Sequence, residues 1–176
     1  EYHRTYDGVL VYPFLLLGKT EWVIRLPAVL SSTLVGAGIY FLLKKYDAAK
    51  ASATAILYLV SPLNILFILY TSDTPLVLFS FLSAIYFYKA VRGNGLLSYV
   101  LSGAFLGLSF LSKYLSVFLG ASYALYFLFA SKDRRRLAGI LLLILSAAPF
   151  VAQNLFWNYT HSWSNILFNL VNRNAG

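Results

Sequence analysis

Runs of membrane length without a charged side chain constrain this chain more than any motif does. One is 137–160, LAGILLLILSAAPFVAQNLFWNYT, with 24 uncharged residues. A helix needs about 20 apolar residues to cross the hydrocarbon of a bilayer, so this run reads as a span. Uncharged runs of 22 residues at 51–72, 19 at 94–112 and 18 at 114–131 read the same way, and the apolar segments 21–43 and 74–88 complete a set of six. The expected fold is all-α, a polytopic transmembrane helix bundle of about six spans. Val9 to Leu17 is too short to cross and reads as an N-terminal surface or re-entrant helix. Three regions follow: 1–20, an outer-side loop and juxtamembrane helix; 21–160, the six-span transmembrane region; and 161–176, the start of an outer-side loop.

Composition removes the common soluble classes. Charged residues make up only 11% of the chain, against roughly 25% in an average soluble domain. The net charge of +8 is spread in short basic clusters between the apolar runs, so bilayer orientation and lipid headgroups account for it and nucleic acid is not an expected partner. The absence of cysteine excludes disulfides and thiolate metal sites. His3 and His161 are the only histidines and lack metal-site spacing; no metal ligand is assigned, and a need for a divalent metal is left open. No Walker loop, dinucleotide fingerprint, serine elbow or HExxH is present. The chain starts at Glu1 without Met or a signal sequence and stops in a polar stretch, and it reads as a piece of a longer membrane protein.

Charge distribution then orients the spans. With alternating crossings, the segments 44–50, 89–95 and 132–136 share one side and carry Lys44, Lys45, Lys50, Lys89, Arg92, Lys132, Arg134, Arg135 and Arg136. The positive-inside rule makes that side cytoplasmic. The opposite side receives the N-terminal polar segment, Asp73, Lys113 and the tail from Trp157.

Asp73 stands out because it is the one acidic residue flanked on both sides by spans of membrane length, where a charge must face water, protein or substrate. It also suits the cap of a helix whose first turn holds Pro75, and the two roles are compatible. Lys113 is either a point charge for a phosphate or a side chain reaching to the headgroups. Arg25 and Lys19 have the same two readings. Trp157, Asn158, His161 and Trp163 belong either to an aromatic belt or to a binding surface. Asn158-Tyr159-Thr160 has the form of an outer-side glycosylation sequon. Gly103 and Gly107 fit small-xxx-small helix packing. Ser61-Pro62 predicts an interruption of the second span.

Five segments together carry a resemblance: Glu21-Trp22-Val23-Ile24-Arg25-Leu26-Pro27, Ser61-Pro62-Leu63, Asp73-Thr74-Pro75-Leu76, Gly107-Leu108-Ser109-Phe110-Leu111-Ser112-Lys113-Tyr114, and Trp157-Asn158-Tyr159-Thr160-His161-Ser162-Trp163. In order and spacing the chain resembles the polytopic GT-C class glycosyltransferases, in the branch related to dolichyl-phosphate-mannose protein mannosyltransferases and the lipid A aminoarabinose transferase. The resemblance implies an enzyme taking a sugar from a polyprenyl-phosphate carrier and passing it to a protein, lipid A or other glycan acceptor on the non-cytoplasmic side of a bacterial or archaeal cell membrane. It also implies acidic residues in the first and second outer loops. Asp73 occupies the second-loop position, and the principal first-loop motif is expected upstream of Glu1. The His-Pro-Pro usual before the surface helix is replaced by Tyr6-Asp7-Gly8-Val9, which leaves Asp7 as a stand-in candidate.

The residue types suit that chemistry. Sugar transfer from a lipid phosphate needs a carboxylate to take the acceptor's proton or stabilise cationic character at the anomeric carbon, and a cation to hold the departing phosphate. The expectation is Asp73 for the first, Lys113 for the second with Arg25 and Lys19 as alternates, and Trp157, Asn158, His161 and Trp163 bordering the sugar or prenyl chain. The partners expected are the lipid bilayer and the polyprenyl-phosphate sugar donor; beyond that donor no cofactor is assigned. A transporter or flippase, or a noncatalytic membrane scaffold, shares the broken helices and isolated charges and is the alternative.

Overall fold

The architecture comes from a computed structural model, which describes residues 14, 16, 20–69, 73–93, 95–129 and 134–163. Asp7, Lys19, most of the expected surface helix and the expected outer loop beyond Trp163 lie outside the described residues. Among the described residues the regular structure is helical: α1 (Glu21–Leu43), α2 (Ala48–Val60), α3 (Pro62–Leu69), α4 (Thr74–Gly93), α5 (Leu96–Ser112), a 3-10 turn (Tyr114–Ser116), α6 (Val117–Phe129) and α7 (Arg134–Thr160).

Three helical stretches, Glu21–Leu43, Thr74–Gly93 and Arg136–Thr160, are long and apolar enough to cross a bilayer, and with the shorter apolar helices they make a helical membrane bundle. Its outward surface supports that environment. Helix α6 buries Tyr123 but exposes Phe118, Leu125, Leu128 and Phe129, a distribution that favours hydrocarbon over water. The second expected span is divided. At Ser61 the backbone turns extended, with φ −62° and ψ 139°, because Pro62 disfavours a helical conformation in the residue before it. The result is two short helices, neither of membrane length alone.

The helices form two packed units, divided within α4 between Phe81 and Leu82. In the first unit, α1 buries Ala28, Ser31, Ser32, Val35 and Gly36, a stripe at helical spacing, and α2 buries Ala51 and Ala55. Small side chains let these helices approach closely. The Leu59 side chain packs over Gly36, and the Phe81 ring covers Gly38. Ser32 also links the helices through polar atoms: its Oγ donates to Asn64 Oδ1 at 2.9 Å.

In the second unit α5 and α7 pack backbone to backbone. A Cβ at Gly103 would fall onto the Leu143 carbonyl and Ser146 Oγ, and one at Gly107 would lie 2.5 Å from the Phe150 ring, so the expected glycine packing motif is present. The Tyr99 ring lies over Gly139. Polar atoms tie in α4 and α6: Ser83 Oγ donates to the Ser102 carbonyl at 2.9 Å, Ser102 Oγ returns the bond to the Ser83 carbonyl at 3.0 Å, and Ser83 Oγ lies 3.0 Å from the Tyr123 hydroxyl. All three residues are buried, where such hydrogen bonds take the place of water.

Candidate functional site

Asp73 stands immediately before Thr74, the first residue of α4. The residue is half-buried, its Oδ1 atom is buried, and Thr74 and Pro75 behind it are buried as well. Pro75 tolerates the second helical position because the first-turn N–H groups have no intrahelical partner. Thr74 also borders a small cavity of about 10 Å³ inside the first unit, whose polar lining comes from Ser31, Ser32, Tyr58, Asn64 and Thr74. That volume suits about one water molecule.

Arg25 lies on the same unit, one turn into α1. Its Nε and Nη2 donate to Glu21 Oε1 at 3.0 and 2.7 Å, with Glu21 exposed and Arg25 half-buried. Glu21 belongs favourably in a first helical turn, and an i,i+4 pair of this kind contributes only about 0.3–0.5 kcal/mol. Thr20 takes the cap position in extended conformation without a side-chain cap bond.

Lys113 lies in the second unit, at an interruption between two helical segments. Its backbone is extended, φ −155° and ψ 143°, and its N–H closes α5 on the Ser109 carbonyl at 3.0 Å. The Lys113 carbonyl accepts from the Ser116 N–H at 3.2 Å and Ser116 Oγ at 3.1 Å. The N–H and the carbonyl of Lys113, freed by the break, thus both find partners, as buried main-chain polar groups do. The lysine is half-buried. Beside it runs a groove of about 420 Å³ whose lining, from Gly107 and Phe110 through Ser116, Val117 and Gly120 to Ala147 and Val151, is almost entirely apolar.

Tyr114, the next residue, is fastened to α7. Its hydroxyl donates to Asn154 Oδ1 at 3.3 Å and accepts from Asn158 Nδ2 at 3.3 Å, while Asn158 Nδ2 also donates to the Asn154 carbonyl at 2.9 Å and its Oδ1 at 3.0 Å. Asn154 is 2% exposed and Asn158 0% exposed. Asn158 therefore lies inside the bundle and not on an outward surface, and its burial rules out the sequon reading for the folded chain. Asn154 and Tyr114 were not among the candidates from sequence. The available signal was the i,i+4 spacing of two amides within an apolar helix, which presents both to one neighbour.

The end of α7 gathers the aromatic candidates. Trp157 and His161 stack with ring centroids 4.2 Å apart and 12° between planes, and His161 Nδ1 lies 2.9 Å from the Trp157 carbonyl. Ser162 and Trp163 then adopt φ of 55° and 57°, uncommon for residues with a side chain, and the Trp163 N–H bonds to the Asn158 carbonyl at 2.8 Å. Lys113, Asn158, Trp157, His161 and Trp163 thus belong to one packed unit, Arg25 and Asp73 to the other. Among the described residues no group of three His, Asp or Glu side chains is arranged to hold a metal.

No curated protein and no solved structure matches the chain. Residues 10–157, however, match a family described as dolichyl-phosphate-mannose-protein mannosyltransferase, and that match takes in Arg25, Asp73, Lys113 and Trp157. Extending over well more than half of the sequence, it shows that this chain belongs to the dolichyl-phosphate-mannose-protein mannosyltransferase family, integral membrane glycosyltransferases that draw their sugar from a polyprenyl-phosphate carrier.

Proposed function

We propose that the chain contributes the donor end of a transferase site that moves a sugar from a polyprenyl phosphate to an acceptor on the non-cytoplasmic side of a cell membrane. In this reading the bond between the anomeric carbon and the phosphate oxygen breaks, and a new bond forms to the acceptor's oxygen. Asp73 takes the proton from that oxygen or stabilises positive charge at the anomeric carbon. The Lys113 ammonium holds the departing phosphate. Arg25 and Lys19 serve as alternates near the headgroups, Asp7 as a stand-in acid, and Trp157, His161 and Trp163 as a border for the sugar or prenyl chain. Asn158, being buried, acts behind that border.

The observation that carries the reading is the position of both charged candidates at helix boundaries, half-buried, within a chain of this family. A charge inside an apolar helix would have to be explained by packing; one at a break can face both protein and water. The apolar groove beside the Lys113 turn is of the right chemical character for a prenyl chain. The proposed orientation is supported by the basic residues at one end of each of α1, α4 and α7, charges of a kind that favour the cytoplasmic side.

The test is transfer of label from a lipid-linked sugar in membranes containing the full-length protein. Asp73→Asn is expected to lower the transfer rate about 10²–10⁴-fold, and Lys113→Ala to weaken use of the lipid donor more than of the acceptor. Normal transfer by both variants, at normal protein levels, ends the assignment. Flipping of the lipid without any transferred product would replace it with a transport function.

A further inference from the structure

We infer that Tyr114, Asn154 and Asn158 are positioning residues for Lys113, a clamp between its turn and α7 that sets the direction in which the lysine leaves that turn. The inference rests on the reading of Lys113 as the cation that holds the donor phosphate. It begins from a feature that the turn's own sequence does not explain. The backbone at Lys113 is extended between two helical segments, yet neither proline nor glycine occurs from Leu108 to Leu119, and these are the usual causes of such breaks. Bonds from Ser116 satisfy the turn locally, but they would equally satisfy one rotated about the end of α5.

Tyr114 removes that freedom. Its hydroxyl meets two amides that lie four residues apart on α7 and are almost fully buried. Asn158 is the hub: its side chain reaches Tyr114 and Asn154, while its carbonyl receives the Trp163 N–H. One residue thereby couples the lysine turn to the turn carrying Trp163. A purely structural link would more economically be apolar here, since neutral polar pairs inside membranes contribute only about 0.6 kcal/mol on average. Moreover, Asn158 Oδ1 is buried with no hydrogen-bond partner among the described residues, an expense that an apolar replacement would avoid. The arrangement gives up stability for a defined orientation, which is what a group aimed at a substrate needs.

Two measurements on the full-length protein test this. The first compares donor KM, acceptor KM and kcat for Tyr114→Phe and Asn158→Leu. Both are expected to raise donor KM about five- to tenfold, the size of one lost neutral hydrogen bond, with acceptor KM unchanged. In a Lys113→Ala background neither is expected to raise donor KM further, because the residue they aim is gone. The second places a nitroxide on Lys113→Cys and records its mobility with and without Tyr114→Phe, which is expected to narrow the spectrum. Unchanged mobility, or loss of thermal stability with donor KM intact, overturns the clamp. If Asn158→Leu does not accumulate, Tyr114→Phe alone decides, since it keeps the ring and removes one oxygen. Lys113→Ala separates the two failures: wild-type donor KM in that variant sinks the phosphate role itself, whereas a raised KM there with wild-type values for the clamp variants sinks only the clamp.

Discussion

Two interruptions divide apolar runs in this protein, and they are built in different ways. At Ser61 the cause is next door: Pro62 forces the preceding backbone to be extended, Ser61 Oγ accepts from the Asn64 N–H at 3.3 Å, and the Ser61 N–H closes on the Tyr58 carbonyl at 3.2 Å. At Lys113 no neighbour in sequence demands a break, and the fastening comes from residues 40 and 44 positions away on another helix. A break coded by a proline exists wherever the segment is placed. One held by a partner helix exists only in the folded bundle, and it is the one that carries a charged candidate of the proposed transfer site. The difference teaches where to look for function in a membrane chain: at backbone irregularities whose cause is not local.

Separating α5 from α7 is the harshest way to break this contrast. Gly103→Leu sets a side chain against the Leu143 carbonyl and Ser146, and backbone cannot move aside as a flexible side chain can. The expected cost is about 3 kcal/mol or more, read as loss of monodisperse protein after extraction in mild detergent. Gly93→Ala, where a Cβ meets nothing within 4 Å, is expected to behave as wild type. A well-folded Gly103→Leu protein that keeps the Lys113 turn would show that α7 is not what holds it.

What was legible in sequence divides along the same line. Hydropathy located the helices because transfer into lipid is summed residue by residue, so 137–160 and 21–43 could be read without knowing their neighbours. The Ser61 break and the Gly103/Gly107 packing stripe were legible for a similar reason, since proline and glycine act on the backbone they belong to. Asp73 was legible as a charge between apolar runs, and it does precede the first residue of α4. By contrast, at Lys113 the sequence shows only a lone charge between spans. Tyr114, Asn154 and Asn158 meet across about forty residues, a distance that no local periodicity spans. Asn158 illustrates the limit: a local triplet pointed outward to solvent, while its actual surroundings, fully buried against Asn154 and Tyr114, come from tertiary packing.

A smaller effect sharpens the comparison from the proline side. Asn64 is 3% exposed, accepts from Ser32 Oγ and donates from Nδ2 to the Leu59 carbonyl at 3.0 Å, so it satisfies a carbonyl released near the break and ties it to α1. Asn64→Leu is expected to cost about 1–2 kcal/mol, from two lost bonds and the buried groups left behind, measured as a shift in unfolding midpoint in detergent. No loss at all would mean that the proline break needs no tertiary support.

The smallest energetic change asks the sharpest structural question. Pro62→Ala restores an N–H at the start of α3 and lifts the restriction on Ser61, so new helical bonds offset the lost Asn64 contacts, and the net change is expected to stay within about 1 kcal/mol. Geometry should respond far more than stability. Spin labels at Ser52 and Leu66, both exposed, are separated along a continuous helix by about 21 Å, and the interruption shortens that distance. In Pro62→Ala the distance is expected to lengthen toward the straight-helix value, whereas Lys113→Ala is expected to leave its own turn unchanged, since Tyr114 and α7 still hold it. If Pro62→Ala keeps the short distance, Asn64 and Ser32 suffice to bend the chain, and both interruptions are products of packing. The distinction between a break written locally and one imposed by a neighbour would then no longer single out the Lys113 turn.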